Sequence, residues 1–286
     1  MSQAAFSWVD GTPAASVPAI DRGLQYGDGL FESMRVRAGH IRFIEMHLDR
    51  LYSGATRLGL NPPLREQLRS EWQSAAAQLT AGVLKFMLTR GDAVQRGYSP
   101  AGLNNPRRLL LGYPDGPASL PDSLAIWHCT MRLGENPSLA GIKTLNRLEQ
   151  VLATDEWQRA GAAHDLALHE GLLSSSSGAL VSGTCSNVFW RSGTQLFTPQ
   201  LDRCGVAGVM RRMVMREADA LGFAVTETIA DMDSMLHAEE IFMTNIRWQV
   251  LPVSVLHFAL GSAHQAWPEP GRCTMQLAAR ISALDT

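Results

Sequence analysis

Lysine and arginine together number 25, and only two of these residues, Lys85 and Lys143, are lysines. Their chemistry therefore stands out. A lysine amine can lose its proton when desolvated and then attack a carbonyl carbon, whereas an arginine guanidinium stays charged. Lys143 follows Gly-Ile and precedes a predicted helix, so we expect it on a connection, where reactive groups are often mounted. Lys85 lies in an apolar, strand-like run, where an outward-facing lysine needs no chemical role. Lys143 is therefore the candidate for covalent chemistry with a carbonyl group.

A second chemical feature is the glycine-bearing stretch from Cys204 to Arg212. It leads from a loop into a predicted helix, so the backbone N–H groups of Val209 and Met210 would face an anion at the helix N-terminus. Arg50, on another predicted helix, could add a fixed positive charge. Together with a reactive lysine, these groups would suit an aldehyde cofactor that bears a phosphate. Taken singly, they also fit an ordinary helix start and an ordinary surface arginine.

The periodicity of the apolar residues predicts the elements that must position these groups. Helices are predicted at Ile44–Gly59, Leu64–Leu79, Asn146–Ala160 and Gly208–Leu221. Strands are predicted at Phe31–Ala38, Val83–Thr89, Arg107–Tyr113, Leu124–Met131, His164–Leu168, Ala179–Ser182 and Glu240–Asn245. The serine run at 174–177 is expected at a flexible hairpin tip. Strands outnumber helices and no repeat is present, which indicates an α/β (α+β) protein of two domains.

A stretch rich in proline and glycine divides the chain. It gives a smaller N-terminal α/β domain at 1–115, a linker at 116–123 and a larger C-terminal domain at 124–286 that carries Lys143.

Composition narrows the class of protein. The net charge of −2 suggests neither a nucleic acid nor an acidic membrane surface as partner. The N-terminal stretch lacks the pattern of a secretory signal, and no apolar run approaches the length of a membrane span. Four widely spaced cysteines predict neither a zinc site nor a disulfide framework. We therefore expect a cytoplasmic protein with free thiols and no metal.

Several segments resemble the fold-type IV family of pyridoxal-phosphate enzymes, which includes aminodeoxychorismate lyases and the D-amino acid and branched-chain aminotransferases. The resemblance covers roughly residues 5 to 255. The segments that carry it are Gly141–Gln150, Asp21–Gly29, His47–Leu51, Arg96–Tyr98, Ser186–Phe189 and Gly208–Arg211. The Gly141–Gln150 segment and the Arg-Gly-Tyr loop favour the lyases, whereas the other motifs are common to the family.

The resemblance implies a two-domain fold and a homodimer that acts on a small-molecule substrate. Lys143 would form a Schiff base with pyridoxal 5'-phosphate. The residues implied to lie at the phosphate are Arg50, Val209, Met210, Asn245 and Ile246. The family normally has a hydroxyl residue at the last of these positions, so Ile246 could offer only its backbone N–H. Arg96 and Tyr98 would line the substrate side.

Ser182 departs from the family pattern. The family places a glutamate five residues before the asparagine of its Ser-Asn-x-Phe motif, and that carboxylate pairs with the protonated ring nitrogen of the cofactor. A hydroxyl stabilises a pyridinium less well, so the ring would withdraw electrons more weakly. Loss of pyruvate from 4-amino-4-deoxychorismate tolerates this, because it leaves an aromatic ring, whereas transamination depends on the electron sink. Alternatively, another acid such as Glu170 takes the glutamate's role.

The resemblance therefore implies a lyase that releases pyruvate and 4-aminobenzoate, a precursor of folate. Two alternatives stay open. One is an aminotransferase of the D-amino acid or branched-chain type. The other is a degenerate protein that binds the cofactor without catalysis.

Overall fold

The computed structural model describes residues 3–103, 105–116, 119–258 and 264–284. These residues form two compact units. The first unit contains the described residues before position 119 together with Ile142–Asn146, and the second contains 119–141 and the described residues from Arg147 onward. Residues 117 and 118 of the predicted linker lie outside the described part. Ile142–Asn146 belongs with the first unit, although the sequence pattern placed Lys143 in the C-terminal domain.

The first unit is an antiparallel sheet with helices on one face. Its six strands within the described residues are β1 (Phe6–Val9), β2 (Thr12–Pro13), β3 (Gly29–Arg37), β4 (His40–Ile41), β5 (Gly82–Thr89) and β6 (Arg107–Pro114), in the order β2-β1-β6-β5-β3-β4. Its helices are α1 (Arg22–Tyr26), α2 (Ile44–Leu58) and α3 (Arg65–Leu79). Alternation along β3 buries Met34 on the side of α2 and α3, where Trp72 and Phe86 meet edge to face with ring centroids 4.9 Å apart.

The second unit is a mixed sheet. Its nine strands within the described residues are β7 (Leu124–Leu133), β8 (Glu170–Ser175), β9 (Leu180–Gly183), β10 (Asn187–Ser192), β11 (Gln195–Pro199), β12 (Ala224–Thr228), β13 (Glu240–Asn245), β14 (Gln249–Phe258) and β15 (His264–Ala266). Its helices are α4 (Leu148–His164), α5 (Val209–Ala218), α6 (Met232–Leu236) and α7 (Arg272–Ala283), with a 3₁₀ turn at Asp219–Leu221. The mixed helix and strand class predicted from the sequence is confirmed.

The structure corrects the prediction around His164. Helix α4 continues to His164 and ends at Asp165, which has a left-handed φ of 52°, so the predicted strand His164–Leu168 is wrong. The strand begins instead at Glu170 and runs into the serine stretch, where Ser175 is buried as its last residue. Apolar alternation does not distinguish the end of a helix from the start of a strand over so short a run.

The described residues contain no helix that is both long and apolar enough to cross a membrane.

Candidate active site

Lys143 is held against strand β3 by backbone pairing. The N–H of Phe31 donates to the carbonyl oxygen of Lys143 at 2.9 Å, and the N–H of Leu145 donates to that of Gly29 at 3.0 Å. The amine nitrogen Nζ lies 3.9 Å from the centroid of the Phe31 ring, within the range of a cation–π contact. The half-buried side chain is therefore directed along an aromatic face. Lys143 lies on the connection between β7 and α4, as predicted, and α4 begins only at Leu148.

A buried carboxylate, Glu32, follows Phe31 on the opposite face of β3 and is 1% exposed. One of its oxygens lies 2.6 Å from Nδ1 of the buried His47, and the other accepts a hydrogen bond of 2.8 Å from Nε of Arg50. Burial alone would raise the pKa of Glu32, but the charge and hydrogen bond of Arg50 and the hydrogen bond of His47 outweigh it and lower the pKa to about 2. The carboxylate is therefore ionised beside the strand residue that Lys143 contacts.

Sequence reasoning missed Glu32. The signal was available, because alternation along β3 directs Glu32 to the same side as Leu30 and Met34, while the spacing of His47 and Arg50 places both on one face of α2. Arg50 is thus engaged by an acid of its own unit. Its predicted role at a phosphate stays a prediction.

The loop that carries Arg96 and Tyr98 is fastened through its backbone by Arg22, which is 4% exposed. The Arg22 guanidinium donates to the carbonyl oxygens of Gly97 at 3.1 Å and Tyr98 at 2.9 Å. Its Nε donates to Asp28 at 2.8 Å. The side chains of Arg96 and Tyr98 are exposed, so the backbone of this loop is ordered while the two predicted substrate-binding side chains face outward.

In the second unit, Glu170 organises the loop after Ser182. Its first carboxylate oxygen accepts from the N–H groups of Gly171 and Thr184, each at 3.0 Å, and from the Thr184 hydroxyl. Its second oxygen accepts from the N–H of Cys185 at 3.3 Å, and from the Cys185 thiol and the Ser186 hydroxyl, each at 3.0 Å. Six donors fill the acceptor positions of a carboxylate. Glu170 is therefore occupied in holding this loop.

Ser182 lies on β9, opposite Leu173 of β8. Its buried hydroxyl donates to the carbonyl oxygen of Gly183 at 2.9 Å, so it is satisfied locally and still has acceptor capacity. Ser182 therefore stands where the family pattern has a glutamate, and the carboxylate of Glu170, the acid considered as an alternative, is already hydrogen-bonded by the donors of its own loop.

Helix α5 offers an N-terminus without a side-chain cap. It begins at Val209 after Gly208, and the N-cap position supplies no side-chain hydrogen bond to the first turn. A Cβ atom on Gly208 would lie 2.1 Å from Oδ1 of Asn187, so a larger residue there would force the Asn187 side chain to move. The Asn187 amide in turn donates to the carbonyl oxygen of Val206 at 2.9 Å. The side chains of Val209 and Met210 are buried, so this turn can bind an anion only through their backbone N–H groups.

Asn245 and Ile246 occupy the turn between β13 and β14. Oδ1 of Asn245 accepts from the N–H groups of Arg247 at 2.9 Å and Trp248 at 3.0 Å, so the side chain shapes the turn. Its amide also lies 3.7 Å from the sulfur of Cys185. The second unit thus brings the loop after Ser182 into contact with the turn at Asn245 and, through Asn187, with the chain that enters α5.

Comparison with known proteins gives the family. The model of the family described as amino-transferase class IV matches residues 29–256. An aminodeoxychorismate lyase of Vibrio harveyi is 32% identical over 255 residues, which cover 86% of this chain and 90% of that protein. A D-alanine aminotransferase of Bacillus licheniformis is 26% identical over 252 residues, which cover 84% and 82%.

A solved structure agrees with this assignment. The crystal structure of 4-amino-4-deoxychorismate lyase from Pseudomonas aeruginosa matches with a TM-score of 0.87 and 39% sequence identity, and the match covers 97% of this chain and 98% of that one. The resemblance seen in the sequence motifs is thereby confirmed over nearly the whole chain. The chain belongs to the amino-transferase class IV family, whose members are pyridoxal 5'-phosphate enzymes.

Proposed function

We propose that the protein is a 4-amino-4-deoxychorismate lyase, which eliminates pyruvate and releases 4-aminobenzoate. The observation that carries the proposal is the placement of Lys143, whose amine lies against the Phe31 ring on a segment tied to β3. The similarity to two lyases over most of their length supports the same reaction class.

The residues present suit pyridoxal phosphate. When bound, it supplies an aldehyde carbon for attachment of an amine and a conjugated ring that withdraws electrons from the bond being broken. Lys143 offers the primary amine. The uncapped first turn of α5 offers the N–H groups of Val209 and Met210 to a phosphate, and Gly208 keeps the approach free of a side chain. Arg50, Asn245 and Ile246 are the further phosphate-binding residues that we propose.

Lys143 would also move the protons. Its amine Nζ would take the proton from the substrate ring carbon that bears nitrogen, and would return a proton as pyruvate leaves. The Phe31 ring restricts the directions in which the amine can swing, and its apolar surface limits access of water on that side. Arg96 and Tyr98 are the proposed substrate-binding residues of the Arg22-anchored loop.

The second unit favours a lyase over an aminotransferase. A carboxylate at the family's glutamate position would strengthen the electron sink that transamination needs, but that position holds Ser182. Glu170 has six donors of its own and is not available as a substitute. An elimination that forms an aromatic ring requires less electron withdrawal by the cofactor, because aromatisation itself contributes driving force.

The proposal extends to the setting of the enzyme. A lyase of this kind would act in the synthesis of folate precursors, in the cytoplasm and as a homodimer. The family resemblance supports these three points.

The test is to incubate the cofactor-loaded protein with 4-amino-4-deoxychorismate and to measure pyruvate and 4-aminobenzoate. A parallel incubation with D-alanine or a branched-chain amino acid and a keto acid measures transamination. Borohydride reduction followed by peptide mapping locates the covalent attachment, which we expect at Lys143. The variant Lys143→Arg is the matched control, because it keeps the positive charge and cannot form the adduct.

Each outcome has a distinct reading. Pyruvate release with an adduct at Lys143 supports the lyase. Transamination without pyruvate release would replace it with an aminotransferase. A cofactor absorbance with no turnover in either assay would indicate a protein that only binds the cofactor.

A further inference from the structure

We propose that Lys85 binds a carboxylate of the substrate and makes the enzyme selective for amines whose carboxylate lies across a ring from the nitrogen. The inference rests on the proposed function and adds a substrate subsite to it. Sequence position gave Lys85 no chemical role. In the structure, however, the amine of Lys85 lies at the same Phe31 ring as the amine of Lys143.

Both lysine amines contact the same aromatic ring. Nζ of Lys143 lies 3.9 Å from the Phe31 centroid, and Nζ of Lys85 lies 5.6 Å from it. The two lysines of the chain, far apart in sequence, thus meet around one phenylalanine. Because both amines lie within 6 Å of one ring centroid, one small substrate could reach both.

Strand register explains this meeting. Ser33 of β3 pairs with Lys85 of β5, and Phe31 pairs with Met87. Side chains two residues apart share a face of a sheet, so Phe31 and Ser33 of β3 and Lys85 of β5 lie on the face opposite the helices. On the side away from β5, strand β3 lies beside the segment that contains Lys143. Lys143, β3 and β5 therefore follow one another across the sheet.

Within the described part of the chain, no acidic side chain is paired with the ammonium of Lys85. Its cross-strand neighbours are Ser33 on β3 and Leu111 on β6, and both are neutral. Among the described residues the contact found for its ammonium is the Phe31 ring. Arg35, two residues beyond Ser33, is paired with Asp115 instead. A half-buried ammonium is best stabilised by an anion, and here the substrate would supply it.

The chemistry of the substrate matches this arrangement. In 4-amino-4-deoxychorismate, the amine and the ring carboxylate stand on opposite sides of a six-membered ring. With the amine at Lys143, the ring would lie along Phe31 and the carboxylate would point towards Lys85. An ordinary α-amino acid carries its carboxylate on the carbon that bears the nitrogen, so it would not extend to Lys85. The subsite would therefore discriminate against the substrates of aminotransferases.

The experiment compares Lys85→Met, Lys85→Arg and the control Arg37→Met in the cofactor-loaded enzyme. Arg37 is an exposed cation on the same strand face and lies outside the proposed subsite. We expect Lys85→Met to raise KM for 4-amino-4-deoxychorismate roughly 10- to 100-fold, the loss expected for a charge-assisted hydrogen bond, with a smaller change in kcat. Lys85→Arg should recover part of the loss, and Arg37→Met should behave as the parent.

A second readout does not depend on turnover. Binding of 4-aminobenzoate to the cofactor-loaded protein, measured by calorimetry, should weaken in Lys85→Met and persist in Arg37→Met. The cofactor absorbance and the borohydride adduct at Lys143 should be unchanged in all three variants.

The failures are distinguishable. An unchanged KM and unchanged binding of 4-aminobenzoate in Lys85→Met would overturn the subsite and leave the lyase intact. Loss of the adduct in Lys85→Met would also overturn it, since Lys85 would then serve the cofactor. A parent enzyme without lyase activity would overturn the proposed function, and the calorimetry would still decide whether Lys85 binds an aromatic carboxylate.

Discussion

The Nδ1 atom of His47 lies 2.6 Å from a carboxylate oxygen of Glu32, inside the core of the first unit. The same carboxylate accepts from Arg50, so one buried acid joins β3 to two residues of α2. Because Phe31, its neighbour on β3, contacts the amine of Lys143, this pair helps to fix the strand against which the proposed reactive lysine lies. Glu32 and Arg50 form a buried ion pair, and removal of one partner from such a pair strongly destabilises a protein.

Acid should destabilise the protein through Glu32 and His47. The pKa of Glu32 is lowered to about 2, so its contribution is complete above the unfolded value of 4.5 and is lost as the pH falls towards 2. Burial also lowers the pKa of His47, so the unfolded chain takes up a proton below pH 6.5 that the folded chain does not. Both effects reduce stability as the pH falls.

Urea unfolding between pH 7 and pH 3 measures this loss, and the share of Glu32 over this range should be roughly 2 kcal/mol. Glu32→Gln should be less stable at pH 7 and should lose less on acidification. Glu66→Gln, at an exposed site, is the control and should follow the parent. Equal acid sensitivity of Glu32→Gln and the parent would contradict the assignment.

Replacement of Lys143 by alanine should abolish turnover and leave the fold. The side chain is half-buried and contacts Phe31, so its removal costs little packing, and we expect a loss of stability of about 1 kcal/mol or less. Activity should fall by a factor of roughly 1,000 or more, since both covalent attachment and proton transfer are lost. Residual activity near that of the parent, measured on a protein with an unchanged melting temperature, would rule out Lys143 as the reactive amine.

Glu170→Gln should loosen the loop at Thr184–Ser186. A glutamine can accept at only one terminal atom, and its amide would face donors that now meet the second carboxylate oxygen. We expect a loss of about 2–4 kcal/mol in the free energy of unfolding and faster amide exchange at Thr184 and Cys185. Glu239→Gln, at an exposed position, serves as the comparison. Unchanged exchange in Glu170→Gln would show that the loop holds without this carboxylate.

Arg22→Lys should free the loop that carries Arg96 and Tyr98. The planar guanidinium of Arg22 reaches two carbonyl oxygens and Asp28 at once, whereas a lysine ammonium cannot. The contacts to Gly97 and Tyr98 would therefore be lost. Hydrogen exchange at these residues should quicken, and KM should rise more than kcat falls. Arg57→Lys, an exposed change on α2, should alter neither quantity. A rise in KM with no change in exchange would argue that Arg22 acts elsewhere.

Ser182→Glu should raise transamination relative to elimination. A carboxylate at this position would strengthen the electron sink of the bound cofactor, so the half-reaction with an amino acid should quicken about tenfold or more. Ser182→Ala should retain pyruvate release, because the hydroxyl bonds mainly to the adjacent carbonyl. The absorbance of the cofactor should also respond differently to pH in Ser182→Glu. Identical spectra and rates in all three proteins would remove Ser182 from the account of reaction choice.

Local pattern was sufficient for most elements of the fold. The predicted helix at Ile44–Gly59 agrees with α2 at Ile44–Leu58, and the predicted strand at Val83–Thr89 agrees with β5 at Gly82–Thr89. These segments have clear apolar periodicity and ends marked by glycine or proline. The pattern failed near His164, where α4 ran past its predicted end and only the left-handed turn at Asp165 stopped it.

The sequence by itself determined the fold class, the family motifs and Lys143 as the candidate amine, because residue type and short spacings encode these features. Only the tertiary structure decided that Lys85 meets Phe31 beside Lys143, that Glu32 holds Arg50, and that Glu170 is occupied by its own loop. Each of these contacts joins residues from different strands or helices through strand register and helix packing. The pairing partner of a strand is chosen by the burial of the whole sheet, so no local pattern specifies it.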